Sequence, residues 1–234
     1  SEYHLTNIAK SRINESLKIF KNNSSQEELI KLKFSLESVY GFRNDFLNPN
    51  GAIAIASRYE NLISTATVFC IMGKAWSEAL ELANNVFLIV DKNKAFKNPH
   101  ATILRPLLPG VKELLEKLQK ANLKCALISN DTNKGIEDFI TVNKLESKFI
   151  AYWSCENSPK KPNPNAVKGL CKLIKIDPSE CALIGDSDSD LKMAKDAGIG
   201  IRMGYISGWN IKPNLSYQQE LISKWDDLSF HLET

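Results

Sequence analysis

Three carboxylates alternate along Gly185-Asp186-Ser187-Asp188-Ser189-Asp190, directly behind the apolar run Cys181-Ala182-Leu183-Ile184. The apolar run has the length of a short strand buried on both faces, and Gly185 permits a sharp turn out of it. Leu191, Ala194 and Ala197 then recur at helical spacing, and Gly198 stands where a helix stop is expected. Asp186 is therefore expected on the loop and Asp190 in the first turn of a helix. Carboxylates at a strand end are suited to a hard divalent cation. A calcium loop that begins Asp-x-Asp-x-Asp needs Gly at its sixth position and Glu at its twelfth, where this chain has Leu191 and Ala197. Preference for acidic residues at a helix start would explain one or two of the carboxylates but not the whole pattern.

Two further polar sets fall at comparable places. Ser129-Asn130-Asp131 follows the apolar run Lys124-Cys-Ala-Leu-Ile128, and Lys160-Lys161 precedes a helix opened by Pro164. Taken singly, the first is an ordinary turn sequence and the second an ordinary solvated pair. In an open parallel sheet, however, ligands bind beyond the carboxyl ends of the strands. A hydroxyl with backbone N–H groups, a fixed ammonium and a carboxylate-held cation together suit a phosphoryl group, whose transfer depends on positioning and charge neutralisation.

The elements that would position these residues occupy the second half of the chain. Val111, Leu114, Leu115 and Leu118 form one helix face, 124–129 reads as a strand, and Ile136, Phe139 and Ile140 mark a second helix. A strand at 149–153, a helix carrying Val167, Leu170, Cys171 and Ile174, the 181–184 strand, the 189–197 helix and a strand at 199–203 complete the alternation. This rhythm predicts a parallel sheet with helices on both faces. Gly198, Gly200, Gly204 and Gly208 stand after a helix and before a strand, the wrong context for a dinucleotide loop. Residues 1–104 read as helical instead. Ser25 and Glu28 form a capping box, Leu29, Leu32, Leu36 and Tyr40 share a face, and Gly41 ends that helix. The 52–72 segment leans to helix, and Trp76, Ala79, Leu80, Ala83, Val86, Phe87 and Val90 step by three and four along a long one. A competing reading makes Val86–Val90 a buried strand.

Composition is that of a soluble globular protein: 43% hydrophobic, 24% charged, with 30 basic and 27 acidic residues and a net charge of +3. Basic residues form no dense run, which disfavours nucleic acid as the main partner. No apolar run approaches the ~18 residues of a membrane span, and the N-terminus lacks a signal pattern. Cys70, Cys125, Cys155, Cys171 and Cys181 form no C-x-x-C pair and are expected as reduced core thiols in a cytoplasmic protein.

From Pro106 to Gly208 the chain resembles the haloacid dehalogenase superfamily, in the branch of phosphoglycolate phosphatases and β-phosphoglucomutases that carry a helical cap. The resemblance rests on the Pro109-Gly110-Val111 helix, Leu127-Ile128-Ser129-Asn130, Lys161-Pro-Asn-Pro164 and Gly185-Asp186-Ser-Asp-Ser-Asp190. It implies an α/β fold, a three-layer Rossmann-like parallel sheet core at 105–234 with an α-helical cap at 1–104. It further implies that Ser129 and Asn130 bind phosphate, that Lys161 ties the phosphoryl group to the nucleophile, and that Asp186 and Asp190 hold Mg²⁺. The implied activity is hydrolysis of a small phosphorylated metabolite through an aspartyl-phosphate, by a monomer or homodimer. A phosphomutase, or a module that binds phosphate or a partner without catalysis, is the alternative.

One family element is absent from the sequence: an apolar strand ending Asp-x-Asp, whose first Asp is the nucleophile. The resemblance places that strand between those ending at Ser129 and Asp186. The expectation is that it precedes Ser1, because Ser1-Glu2-Tyr3-His4 resembles the opening of the cap. The alternative fills the slot with Val86–Val90, making Asp91 the nucleophile and Asn93 the residue at the second Asp position.

Overall fold

A computed structural model describes residues 2–96 and 107–228, without the side chains of 94–96. The chain divides into two compact units, one within 2–104 and one within 105–234. The expected boundary near Leu104 and the opening Arg105-Pro106 lie outside the described residues.

The first unit is helical. α1 (Glu2–Phe20), α2 (Gln26–Tyr40), α3 (Ala52–Ile55), α4 (Arg58–Ile71) and α5 (Trp76–Phe96) surround a core in which Tyr40, Phe69, Phe87, Leu32, Leu36 and Val86 are fully buried. Ser25 and Glu28 cap α2 reciprocally, and a second capping box, Ser57 with Glu60, starts α4. Gly41 ends α2 in the left-handed region, and a side chain there would strike the backbone of Gly51. A short hairpin, β1 (Phe42–Arg43) and β2 (Phe46–Leu47), separates these glycines. The sequence gives no strand signal there, since each arm has only two residues.

Along α5, Ala79, Ala83, Val86, Phe87 and Val90 are buried, whereas Leu88 is 45% and Ile89 40% exposed. Burial on a helical stripe with intervening apolar residues in solvent rules out Val86–Val90 as a strand buried on both faces. Arg12, itself buried, lays its guanidinium 3.6 Å from the Phe87 ring centroid. Burial pulls the Arg12 pKa down to about 10, and the ring face replaces some of the lost hydration.

The second unit is α/β. After α6 (Val111–Lys120), β3 (Ala126–Ile128) pairs in parallel with β4 (Ala151–Trp153), and α7 (Asn133–Val142) connects them. α8 (Pro164–Ile174) leads to β5 (Ala182–Gly185), α9 (Asp188–Ala197) and β6 (Ile201–Tyr205). β5, β6 and β7 (Glu220–Ile222) form a second parallel set in that order. Val167 and Cys171 of α8, Met193, Ala194 and Ala197 of α9, and Ile199 form the common core, with Ile128 and Leu183 packed against it. The layer of α8 and α9 thus joins both strand sets. Gly169 leaves room for the Trp153 ring, which a Cβ at that position would strike.

Among the described residues β3 and β5 do not pair and each ends its own set, as expected of strands that the resemblance sets on either side of another strand. Two expectations are corrected. The 181–184 strand is not buried on both faces, since Ala182 and Ile184 are exposed while Leu183 faces the helices. Of the cysteines, only Cys171 is buried. Its sulfur lies 3.9 Å from that of Cys181, and burial with the neighbouring thiol pushes its pKa up to about 12. Among the described residues no helix is long and apolar enough to cross a membrane.

Phe87→Ala is expected to destabilise the helical unit by about 3–5 kcal/mol, by leaving a cavity and removing the surface under Arg12. Leu88→Ala should change stability by no more than about 0.5 kcal/mol. Urea unfolding followed by circular dichroism distinguishes the two; equal losses would contradict the helical burial pattern.

Candidate active site

The turn after β5 gives its three carboxylates three different tasks. Asp186 is the first residue beyond the strand, and its Oδ2 accepts the indole N–H of Trp209 at 2.8 Å. Asp188 turns away: its Oδ1 accepts the backbone N–H groups of Ser216 at 2.6 Å and Tyr217 at 3.3 Å. Asp190 lies in the first turn of α9, and its Oδ1 meets the Lys161 ammonium at 2.7 Å. Buried Ser187 caps α9, its hydroxyl accepting the Asp190 N–H at 3.3 Å. A Cβ on Gly185 would come within 3.2 Å of the Asp190 Cβ, so glycine allows the strand end and the helix turn to approach this closely.

Lys161 arrives from a different β–α connection. The Trp153 indole donates to the Pro159 carbonyl at 2.9 Å, and Asn163, the N-cap of α8, donates its N–H to the Lys160 carbonyl at 3.1 Å. The turn between these anchors contains cis bonds before Pro159 and Pro162. The Lys161 and Asp190 side chains are 11% and 20% exposed, so solvent and salt screen the pair weakly. Lys160, its neighbour in the sequence, does not take this place.

Ser129 continues the β3 ladder, donating its N–H to the Trp153 carbonyl at 2.9 Å, while its Oγ accepts the Asp131 N–H at 3.1 Å. The hydroxyl is thereby fixed in the turn with its own proton still to donate. Asn130 follows at the strand end, half-buried. Thr132 caps α7 through the Gly135 N–H, and a side chain at Gly135 would collide with the Asp131 carboxylate. The Asp131 carbonyl accepts the Cys155 N–H at 2.9 Å, which ties the Ser129 turn to the connection bearing Lys161. All the nominated residues thus follow the carboxyl ends of parallel strands, and the Lys161–Asp190 pair joins two of the sets directly.

Asp91 belongs elsewhere. It sits on α5 in the helical unit, where its Oδ2 accepts Arg58 Nε at 3.0 Å and Nη2 at 2.8 Å. The Val86–Val90 slot reading is therefore wrong, and with it Asp91 as a nucleophile at a strand end and Asn93 as its partner. Trp209 escaped the sequence reading because Gly208-Trp209 looked like turn material. The available signal was a lone indole N–H in a polar segment, a donor that seeks a partner when it is partly buried.

The donor set fits a magnesium ion. Asp186 and Asp190 supply hard oxygens, and Mg²⁺ takes one or two carboxylates while keeping several waters. Among the described residues no group of three or more His, Cys, Asp or Glu side chains forms a protein-only metal cage. With the Lys161 charge on Asp190, Asp186 is the carboxylate better placed to give an oxygen directly.

A double-mutant cycle of Lys161→Met and Asp190→Leu should yield a coupling of about 1–3 kcal/mol, retained in 0.5 M salt, because truncating either partner strands a half-buried charge. Coupling near zero in urea denaturation would mean that the pair does not organise the turn.

Residues 63–203, more than half of the chain, match the family model for haloacid dehalogenase-like hydrolases. A phosphoglycolate phosphatase of Vibrio vulnificus (strain CMCP6) is 35% identical over 109 residues, covering 45% of this chain and 48% of that protein. One from Vibrio parahaemolyticus is 29% identical over 147 residues, covering 59% and 64% respectively. The matched part of the chain thus spans about half to two thirds of the length of these curated relatives. Among solved structures, a predicted phosphoglycolate phosphatase from Haemophilus somnus 129pt superposes with a TM-score of 0.63 at 19% identity, covering 95% of this chain and 89% of that one. A β-phosphoglucomutase from Clostridium difficile superposes with a TM-score of 0.57 at 16% identity, covering 95% and 87%. These superpositions show the fold, and the family match makes the chain a member of the haloacid dehalogenase-like hydrolases.

Proposed function

We propose that this chain forms the working part of a Mg²⁺-dependent phosphatase that hydrolyses a small soluble phosphate ester through an aspartyl-phosphate. The observation that carries the reading is the Lys161–Asp190 ion pair, which holds a cationic side chain from the β4–α8 connection against the turn that bears Asp186. In this reading Ser129 and Asn130 hold phosphoryl oxygens, the Ser129 hydroxyl donating from its fixed turn. Lys161 neutralises charge between the phosphoryl group and the attacking carboxylate. Asp186 and Asp190 would hold Mg²⁺, which when bound supplies further charge neutralisation on the phosphoryl oxygens.

The nucleophile in this proposal is the first Asp of an apolar Asp-x-Asp strand that seats between β3 and β5. Support comes from the sheet, in which those two strands each have a partner on one side only among the described residues. The helical unit within 2–104 would act as a cap that excludes water during transfer. Names borne by the relatives make 2-phosphoglycolate the first substrate to assay. The protein would work in the cytoplasm, as a monomer or homodimer, without nucleic acid or membrane.

Two measurements test this. Mg²⁺ should raise the melting temperature of the chain, and Asp186→Asn should abolish the rise. A chain extended upstream through an Asp-x-Asp strand should hydrolyse 2-phosphoglycolate or a generic phosphate monoester, with kcat/KM falling by about a hundredfold or more in Lys161→Ala. An extended chain that binds Mg²⁺ yet turns over neither substrate would favour a non-catalytic phosphate-binding module.

A further inference from the structure

We infer that Trp209 is a positioning residue for the cation site, held in place by a loop that is fastened to the same carboxylate turn at both ends. The inference rests on Asp186 as a cation ligand. The segment 206–217 leaves β6 and returns to β7 through a stretch with no regular structure. At its near end the Trp209 indole N–H donates to Asp186 Oδ2 at 2.8 Å. At its far end the backbone N–H groups of Ser216 and Tyr217 donate to Asp188 Oδ1. Residues two apart in one turn, Asp186 and Asp188, thus grip opposite ends of a single loop.

The grip has a directional consequence. A carboxylate with two equivalent oxygens rotates between ligating poses; an indole N–H on Oδ2 assigns that oxygen and leaves Oδ1 to the cation. Indole nitrogen is a donor only, so it fixes the acceptor without competing as a ligand. The residue before the indole lies close to the end of β6: a Cβ on Gly208 would come 3.3 Å from the Tyr205 ring, and Tyr205 stacks on Trp225 with centroids 4.1 Å apart. Partners in this outer position commonly alter metal affinity by about 10–100-fold when removed. Asp188 therefore acts at one remove, by anchoring the loop that delivers the indole.

Calorimetric titration of the 234-residue chain with Mg²⁺ alone, paired with tryptophan fluorescence, tests the inference. Trp209→Phe keeps the ring but loses the donor; it should weaken Mg²⁺ binding about tenfold or more while leaving the metal-free melting temperature nearly unchanged. Trp209→His, which restores a ring N–H, should recover part of the affinity. Asp188→Ala should weaken binding as well, and less than additively in the Trp209→Phe background. The fluorescence change on adding Mg²⁺ should vanish in Trp209→Phe. If wild type and Trp209→Phe bind equally, the positioning role is overturned while the cation site stands. If wild type shows no binding, the cation site falls and this role falls with it. A weaker Trp209→Phe that also loses metal-free stability and is not rescued by His would mark a purely structural tryptophan and likewise overturn the inference.

Discussion

The Lys161–Asp190 ion pair is the constraint on which the geometry of this site depends. It joins two β–α connections that share no backbone hydrogen-bond ladder, since β4 and β5 belong to separate strand sets. Beneath the pair, α8 packs on β4 and on α9, and α9 packs on β5, so the helices also register the turn bearing Asp186 with the turn bearing Lys161. Low exposure on both sides makes the pair sensitive to geometry: removing two charges from water is compensated only if the charges meet closely. At 2.7 Å they do. The same closeness divides labour between the two carboxylates. Asp190, already neutralised, is held as much as it holds, while Asp186 keeps an oxygen open.

Lys161 apart, the residues that shape this turn are not themselves reactive groups. Ser187 caps the helix, Asp188 anchors a distant loop, Gly185 removes the side chain that would crowd Asp190, and Trp209 takes one oxygen of Asp186. This explains how an acidic pattern of period two carries three different tasks. In α9 the residues at 188 and 190 point to different sides, so only Asp190 faces the Lys161 connection while Asp188 faces the 216–217 segment. A site built this way is preorganised by its surroundings, and its electrostatics need little rearrangement as charge develops.

Much of this was legible in the sequence where periodicity and caps agreed. The Ser25–Glu28 box, the α5 stripe and the alternation after Val111 all became the elements anticipated, as did the places of Asp186 on the loop and Asp190 in the first turn. What was not legible depended on partners far along the chain. Which of two adjacent lysines meets Asp190 depends on a residue that lies far along the chain, and a motif match rather than any local propensity selected Lys161. Asp188 and Asp190 look alike until Ser216 and Lys161 are brought near. The burial of β5 was overread because an apolar run signals the capacity to be covered, not the presence of a cover. Strand ends shifted for a related reason: Cys125 and Cys181 have strand character, but pairing in this sheet starts one residue after each.

The split sheet gives that last point a physical meaning. Parallel strands are normally covered on both faces and paired on both sides, because an open edge bares N–H and C=O groups that only water or another strand satisfies. Here β3 and β5 each end a set, and Ile184, Ile201 and Leu221 remain 39%, 45% and 53% exposed. α8 packs on β3 and β4 while α9 packs on β5 and β6, and α8 packs on α9, so the two sets share one helical cover. That arrangement has a functional corollary. Lys161–Asp190, Trp209–Asp186 and Ser129 in its own turn are contacts among the connections that follow β3, β4, β5 and β6. In the proposed reading these connections form the cradle for charge, and a strand seated between β3 and β5 would contribute its reactive group to it.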